Sequence, residues 1–292
     1  MATCAHCSLD YFTAISKFFN NQEASLEFLR DHGVIPKDLK CPKCGGSCTF
    51  REEDHLWRCR ASFPIPKSKK RRLCNFSSSD YKGTFLSGSN IPAWKIVCFV
   101  NHFISKHWDH ETVSVCLGLS KHTVVDWRSF CSEVTDEWYR QQAPIGGPGV
   151  VVEIDETLIT RRKYNRGRLP TQIWLFGGIE RVSKRKFIVP LTGDVAAHRK
   201  NFVDPEDPNV HTQNIERLWK DVKSWVKRPG IRSKYLYQYL GRYLFAKAHE
   251  PSTLLHHFFV QAAKLYPPQS DRSPTASAEQ SDSSSETDSD AS

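Results

Sequence analysis

Cysteines are the first residues here whose type and spacing could do chemistry, and the chain has ten. Cys41-Pro-Lys-Cys44, followed by two glycines, reads as a metal knuckle: two thiolates on a tight turn whose strain glycine relieves. A tetrahedral zinc ion needs two more ligands. Cys59 and Cys74 are the natural second pair, although the 14 residues between them are many for a ribbon, and Cys48 or His55 could replace one of them. Cys4-Ala-His-Cys7 also has ligand spacing, but without an evident partner pair. The basic run from Lys67 to Arg72 is suited to tracking phosphate or to serving as a nuclear import signal.

Carboxylates offer a second chemistry. The apolar run Val150–Ile154 reads as a buried strand ending at Asp155 and Glu156. Downstream, Glu216, Lys220, Lys223 and Lys227 share one stripe of an expected helix, beside an apolar stripe of Ile215, Leu218, Trp219, Val222 and Val226. Ordinary exposed Glu-to-Lys pairing would produce the same stripe. A functional reading sets Glu216 opposite Asp155 as ligands for magnesium or manganese, with lysines on the phosphates. Two such ions about 3.5–4 Å apart would activate the attacking oxygen and stabilise the leaving one in phosphoryl transfer.

A third pattern points to DNA. Glu111 to Trp127 fits a helix-turn-helix: Gly118 supplies the turn, small Ser114 lies four residues before it, Val124 packs six after it, and Ser120 caps the second helix. Lys121, His122 and Arg128 are then left for DNA contact. A helical hairpin with a glycine turn has the same pattern.

These side chains need elements to hold them. Periodicity predicts helix over residues 8–35, 91–140, from Thr212, and over about 233–265. Strands are expected at Val150–Ile154, Ile173–Ile179 and Lys186–Leu191, after a hinge-like linker of Pro144, Gly146, Gly147, Pro148 and Gly149. The composition, 39% hydrophobic and 25% charged, suits a globular chain of about two domains. No apolar run is long enough to span a membrane and no signal peptide is expected, so the cysteines are expected to be reduced and available to metal. The net charge of +9 conceals an asymmetry: residues 268–292 carry six acids and one base, leaving +14 on residues 1–267. That excess favours a polyanionic partner, while the serine- and acid-rich tail reads as disordered.

The segments Val152-Glu-Ile-Asp155-Glu156, Arg162 to Arg168, Trp174 to Glu180, Asn201 to Pro205 and His211 to Trp219 together resemble transposases of the Merlin superfamily, relatives of the bacterial ISXO-like enzymes. The resemblance runs from about Leu39 to about Ala248. It implies a ribonuclease-H-like domain with a catalytic Asp-Asp-Glu set, in which Asp155 matches the first Asp, Glu216 the Glu, and Lys223 the lysine seven residues beyond it. It also implies an upstream zinc ribbon at Cys41, Cys44, Cys59 and Cys74, contact of Lys163, Arg166 and Arg168 with double-stranded DNA, and action as a homo-oligomer.

The chain departs from that pattern where the family carries its second Asp. The third strand runs within a few residues into His198-Arg-Lys-Asn-Phe, so the segment bearing the fourth strand is missing, and Asp194 is the only acid in the gap. The expected architecture is therefore mixed α and β: a helical segment at 1–38, a zinc ribbon at 39–86, a helix-turn-helix region at 91–142, an incomplete ribonuclease-H-like transposase domain at 150–250 and an acidic tail at 267–292. The expected function is that of a nuclear, DNA-binding, transposase-derived protein that does not transfer strands. The alternatives are an active enzyme using Asp194, a domesticated DNA-binding or chromatin factor, and a zinc-stapled interaction module.

Overall fold

The computed structural model describes residues 4–66, 69–105, 110–159, 173–191, 213–226 and 235–268. Two short helices, α1 (Tyr11–Phe18) and α2 (Gln22–Asp31), open the chain. Asp10 caps the first by accepting from the Phe12 and Thr13 amides, and Asn21 caps the second through Ala24. Their apolar faces meet α3 (Ala93–Ile104), α5 (Lys121–Arg140) and α8 (Leu254–Leu265) in one core containing Phe18, Phe28, Phe99, Phe103, Phe258 and Phe259. The N-terminal helices, the expected helix-turn-helix region and the last helix therefore bury one shared surface.

The stretch expected to be helical from about 233 to 265 is two helices, α7 (Leu236–Ala248) and α8. Pro251 lies in the turn between them; its missing N–H and fixed φ oppose continuation of a helix.

Between α2 and α3 lie two small sheets. In the first, β2 (Leu56–Cys59) pairs with both β1 (Cys48–Arg51) and β5 (Ser77–Ser79); the second is the hairpin of β3 (Ser62–Pro64) and β4 (Arg71–Leu73). This unit is fastened to the helices by Asp80, whose buried carboxylate accepts from Trp57 Nε1 at 3.0 Å and pairs with Arg30 of α2 at 3.0 Å.

The second core lies under an antiparallel sheet ordered β6 (Val152–Leu158), β7 (Trp174–Glu180), β8 (Lys186–Leu191). The last two lie where expected, but the first is shifted along the chain, so Asp155 sits mid-strand, not at its end, and Val150, Val151 and Ile154 of the expected buried run are exposed. One face packs Leu175, Ile179 and Ile188 against α6 (Gln213–Val226) and α7. Helix α5 joins both cores, because the Tyr139 hydroxyl donates to the Ile188 carbonyl at 3.1 Å and accepts its N–H at 3.3 Å along the β8 edge. The glycine- and proline-rich linker is pinned rather than hinge-like. Gly146 N–H donates to Glu180, and Arg185 donates to the Ala143 and Pro144 carbonyls. Among the described residues β6 pairs only with β7, and no helix is long and apolar enough to cross a membrane. The acidic tail from residue 269 lies outside the described residues.

Candidate functional site

The sulfurs of Cys41, Cys44, Cys59 and Cys74 all lie within 4.8 Å of one another, with Cys41 to Cys74 at 3.6 Å and Cys44 to Cys59 at 3.4 Å. Thiolates about 2.3 Å from a tetrahedral zinc stand about 3.8 Å apart, so this set could hold a metal such as zinc. Cys48 and His55 stay outside the group. Cys48 lies opposite Cys59 in the β1–β2 register, and His55 sits in the turn between those strands.

Local backbone explains the knuckle. Gly45 adopts φ +72, which side chains rarely tolerate, and a Cβ on Gly46 would stand 3.5 Å from the Cys44 sulfur. Burial pushes the Cys41 thiol up. The Lys43 and Cys44 N–H groups, with the Cys44 and Cys74 thiols, outweigh that and bring it down to about 7, whereas against the Gly46 N–H the contacts with Cys59, Cys41 and Cys74 push Cys44 up to about 12, and Cys59 is raised as well.

The long gap between Cys59 and Cys74 is absorbed by the β3–β4 hairpin. Its base is closed by Cys74 N–H donating to the Ala61 carbonyl at 2.8 Å, which returns Cys74 to the cluster. Lys69, Lys70, Arg71 and Arg72 are exposed on this hairpin, with Arg71 held against Ser62.

The glycine turn also forms. Helix α4 (His110–Leu117) ends at Gly118, φ +56, and Ser120 caps α5 by accepting the Thr123 N–H at 3.1 Å. Val124 is fully buried as expected. Lys121 and His122 are exposed in the first turn of α5, whereas Arg128 is half-buried with its guanidinium 4.9 Å from the centre of the Tyr239 ring.

The carboxylate site is built by Glu153, which no motif in the sequence singles out. Glu153 lies two positions before Asp155, so strand alternation puts both on the face toward α6. The Glu153 carboxylate is buried. It accepts from the first amides of α6, Asn214 at 3.0 Å and Ile215 at 3.1 Å, and from the Asn214 side chain at 2.7 Å, while pairing with Arg181 at 2.9 Å. Burial raises this carboxyl, but the Asn214 amide, the Ile215 N–H and Arg181 outweigh it and hold it below its ordinary value. The positive end of the helix favours the same charge.

One turn on, Trp219 Nε1 donates to Asp155 Oδ2 at 2.9 Å. Its ring rests on Gly177, which pairs with Asp155 across the sheet; a Cβ there would stand 2.6 Å from the indole. Glu216 therefore lies on an exposed flank of α6 between the two points that fasten the helix to β6, and Lys223 lies two turns further along. Among the described residues Asp155 belongs to no group of three or more ligand side chains. Asp194, Lys163, Arg166 and Arg168 lie outside the described residues.

Cys4 and Cys7, the other pair at ligand spacing, face His32 and His256. No local pattern in the sequence links those histidines to them.

No protein-family model matches the chain, and no solved structure matches it. It is similar to Male abnormal protein mab-31 of Caenorhabditis elegans, 26% identical over 168 residues that cover 53% of this chain and 38% of that protein. The chain thus spans well under half the length of the curated relative it matches.

Proposed function

We propose that this chain is a metal-stapled, double-stranded-DNA-binding protein of transposase descent that works in the nucleus and does not join DNA strands. One juxtaposition carries the reading: an exposed basic hairpin grows directly out of a four-cysteine ligand set, and Asp80 and Arg30 dock that unit on the helices that hold the glycine-turn pair α4–α5. Zinc, when bound by the four thiolates, supplies a closed structural staple. Such a site has no open position for substrate, so the basic side chains it presents do the binding. Backbone phosphates are the chemistry that clustered, exposed lysine and arginine recognise. The same run, Lys67–Arg72, doubles as a nuclear import signal.

Transposase descent is supported by the motif resemblance together with the way a carboxylate-bearing strand is latched to a Glu-bearing helix through Trp219. In a ribonuclease-H-like reading, Asp155 and Glu216 would be two of three acids around a pair of magnesium ions. Asp155 accepts from Trp219 through one oxygen and keeps lone pairs to spare, and among the described residues it belongs to no group of three ligand side chains. The inactive reading rests on the segment missing between the third strand and His198.

The test is to titrate the zinc-loaded full chain into a short random-sequence duplex, then repeat after chelation, and to incubate the same protein with DNA ends and Mg²⁺ or Mn²⁺. Binding that disappears on chelation, without strand cleavage or joining, is the expected result. Metal-dependent strand transfer would overturn the inactive reading, and absence of duplex binding would overturn the DNA-binding one.

A further inference from the structure

The amino-terminal segment, the end of α2 and the first turn of α8 meet at four side chains: Cys4, Cys7, His32 and His256. Their ligand atoms all lie within 4.8 Å of one another. The edges are Cys7 Sγ to His32 Nε2 at 3.4 Å, Cys7 Sγ to His256 Nδ1 at 3.6 Å, Cys4 Sγ to His256 Nδ1 at 3.8 Å, and His32 Nε2 to His256 Nδ1 at 3.1 Å. A tetrahedral zinc with sulfur at about 2.3 Å and nitrogen at about 2.0–2.1 Å has edges of about 3.8 Å for S–S, 3.6 Å for S–N and 3.4 Å for N–N. Those four edges fall within about 0.3 Å of that figure, and the two edges from Cys4 Sγ to Cys7 Sγ and to His32 Nε2 lie within 4.8 Å.

The surroundings fit a ligand role. His32 is buried, and its other ring nitrogen, Nδ1, lies 2.7 Å from the Phe28 carbonyl. A proton on Nδ1, donated to that carbonyl, leaves the Nε2 lone pair facing the cluster, which is how ligating histidines are generally held. His256 is buried too, at the start of α8. The cysteine-bearing segment is tied down on both sides: Cys4 N–H donates to the Asp31 carbonyl at 2.9 Å, and Leu9 N–H donates to the Ser252 carbonyl at 2.6 Å.

We infer that Cys4, Cys7, His32 and His256 form a second zinc site, separate from the four-cysteine ribbon. Two thiolates and two neutral imidazoles complete the coordination of a divalent ion and leave no open position, so the site is structural. It closes a loop from Cys4 to His256 and locks both ends of the helical core together. A metal in that place makes folding of the core depend on zinc.

The test uses the full chain purified without chelator. Metal analysis is expected to return two zinc ions per chain, falling to one in His256→Asn. X-ray absorption at the zinc edge of the unmodified protein gives an independent readout, because the two sites together average three sulfurs and one nitrogen per zinc, whereas the ribbon alone gives four sulfurs. That measurement needs no variant to fold. One zinc per chain with an all-sulfur shell would overturn the inference, as would His256→Asn retaining both ions.

Discussion

Replacing Glu153 by glutamine tests how the carboxylate strand is fastened to its helix. The buried carboxylate accepts three hydrogen bonds from Asn214 and Ile215 and pairs with Arg181. Charge-assisted hydrogen bonds are worth about 1.5–3 kcal/mol each, and removing one partner of a buried ion pair costs about 3–5 kcal/mol. Glutamine keeps one acceptor oxygen and the shape, so the expected loss is about 2–3 kcal/mol. For a chain of this size that lowers the melting temperature by roughly 4–12 °C.

The pH dependence follows from the direction of the shift. The folded carboxyl titrates below its ordinary value of 4.5, so its stabilisation is complete above the unfolded value and is lost as pH falls through the folded one. Thermal unfolding of wild type and Glu153→Gln followed by circular dichroism should therefore show a constant gap from pH 8 to about pH 5 that narrows below about pH 4. A gap under about 0.5 kcal/mol, or one of equal size at all pH values, would refute the reasoning.

Other consequences are equally direct. Gly177→Ala drives a methyl into the Trp219 indole, so it should cost about 1–3 kcal/mol and alter tryptophan emission; unchanged emission and stability would contradict the latch. Trp219→Phe keeps most of the packing but drops the bond to Asp155, with an expected loss of about 1 kcal/mol by urea titration. Arg30→Ala leaves Asp80 buried with only Trp57, costing about 2–4 kcal/mol and loosening the ribbon from α2, which limited proteolysis would detect. Cys44→Ser should remove one zinc ion by metal analysis and abolish duplex binding while the helical signal persists.

Much of this arrangement was legible in the sequence because its determinants are local. The strands around Asp155, Trp174 and Lys186 announce themselves by β-branched and aromatic runs, and Gly118 with Ser120 marks the turn before α5. The place of Cys74 in the cluster is not legible locally, since nothing in the residues after Cys59 says that Ser62–Pro64 and Arg71–Leu73 pair and return Cys74 to Cys41 and Cys44. Alternation places Glu153 on the same face as Asp155, but what makes it matter is the first turn of a helix 61 residues downstream. His32 and His256, 224 residues apart, meet only once α8 has packed on α2, so no spacing rule could join them to Cys4 and Cys7. The linker after α5 read as a hinge from its glycines, but Glu180 and Arg185 on the β7–β8 turn hold it in place.

The salt dependence of duplex binding tests the central claim most directly. The zinc-loaded chain should lose affinity linearly with the logarithm of salt between about 50 and 200 mM, with a slope of about −3 or steeper, corresponding to about three or more phosphates neutralised. Charge reversal at Lys69 and Arg72 on the β3–β4 hairpin should flatten that slope by about 2. No measurable binding at low salt, or a slope unchanged by the reversal, would contradict the account.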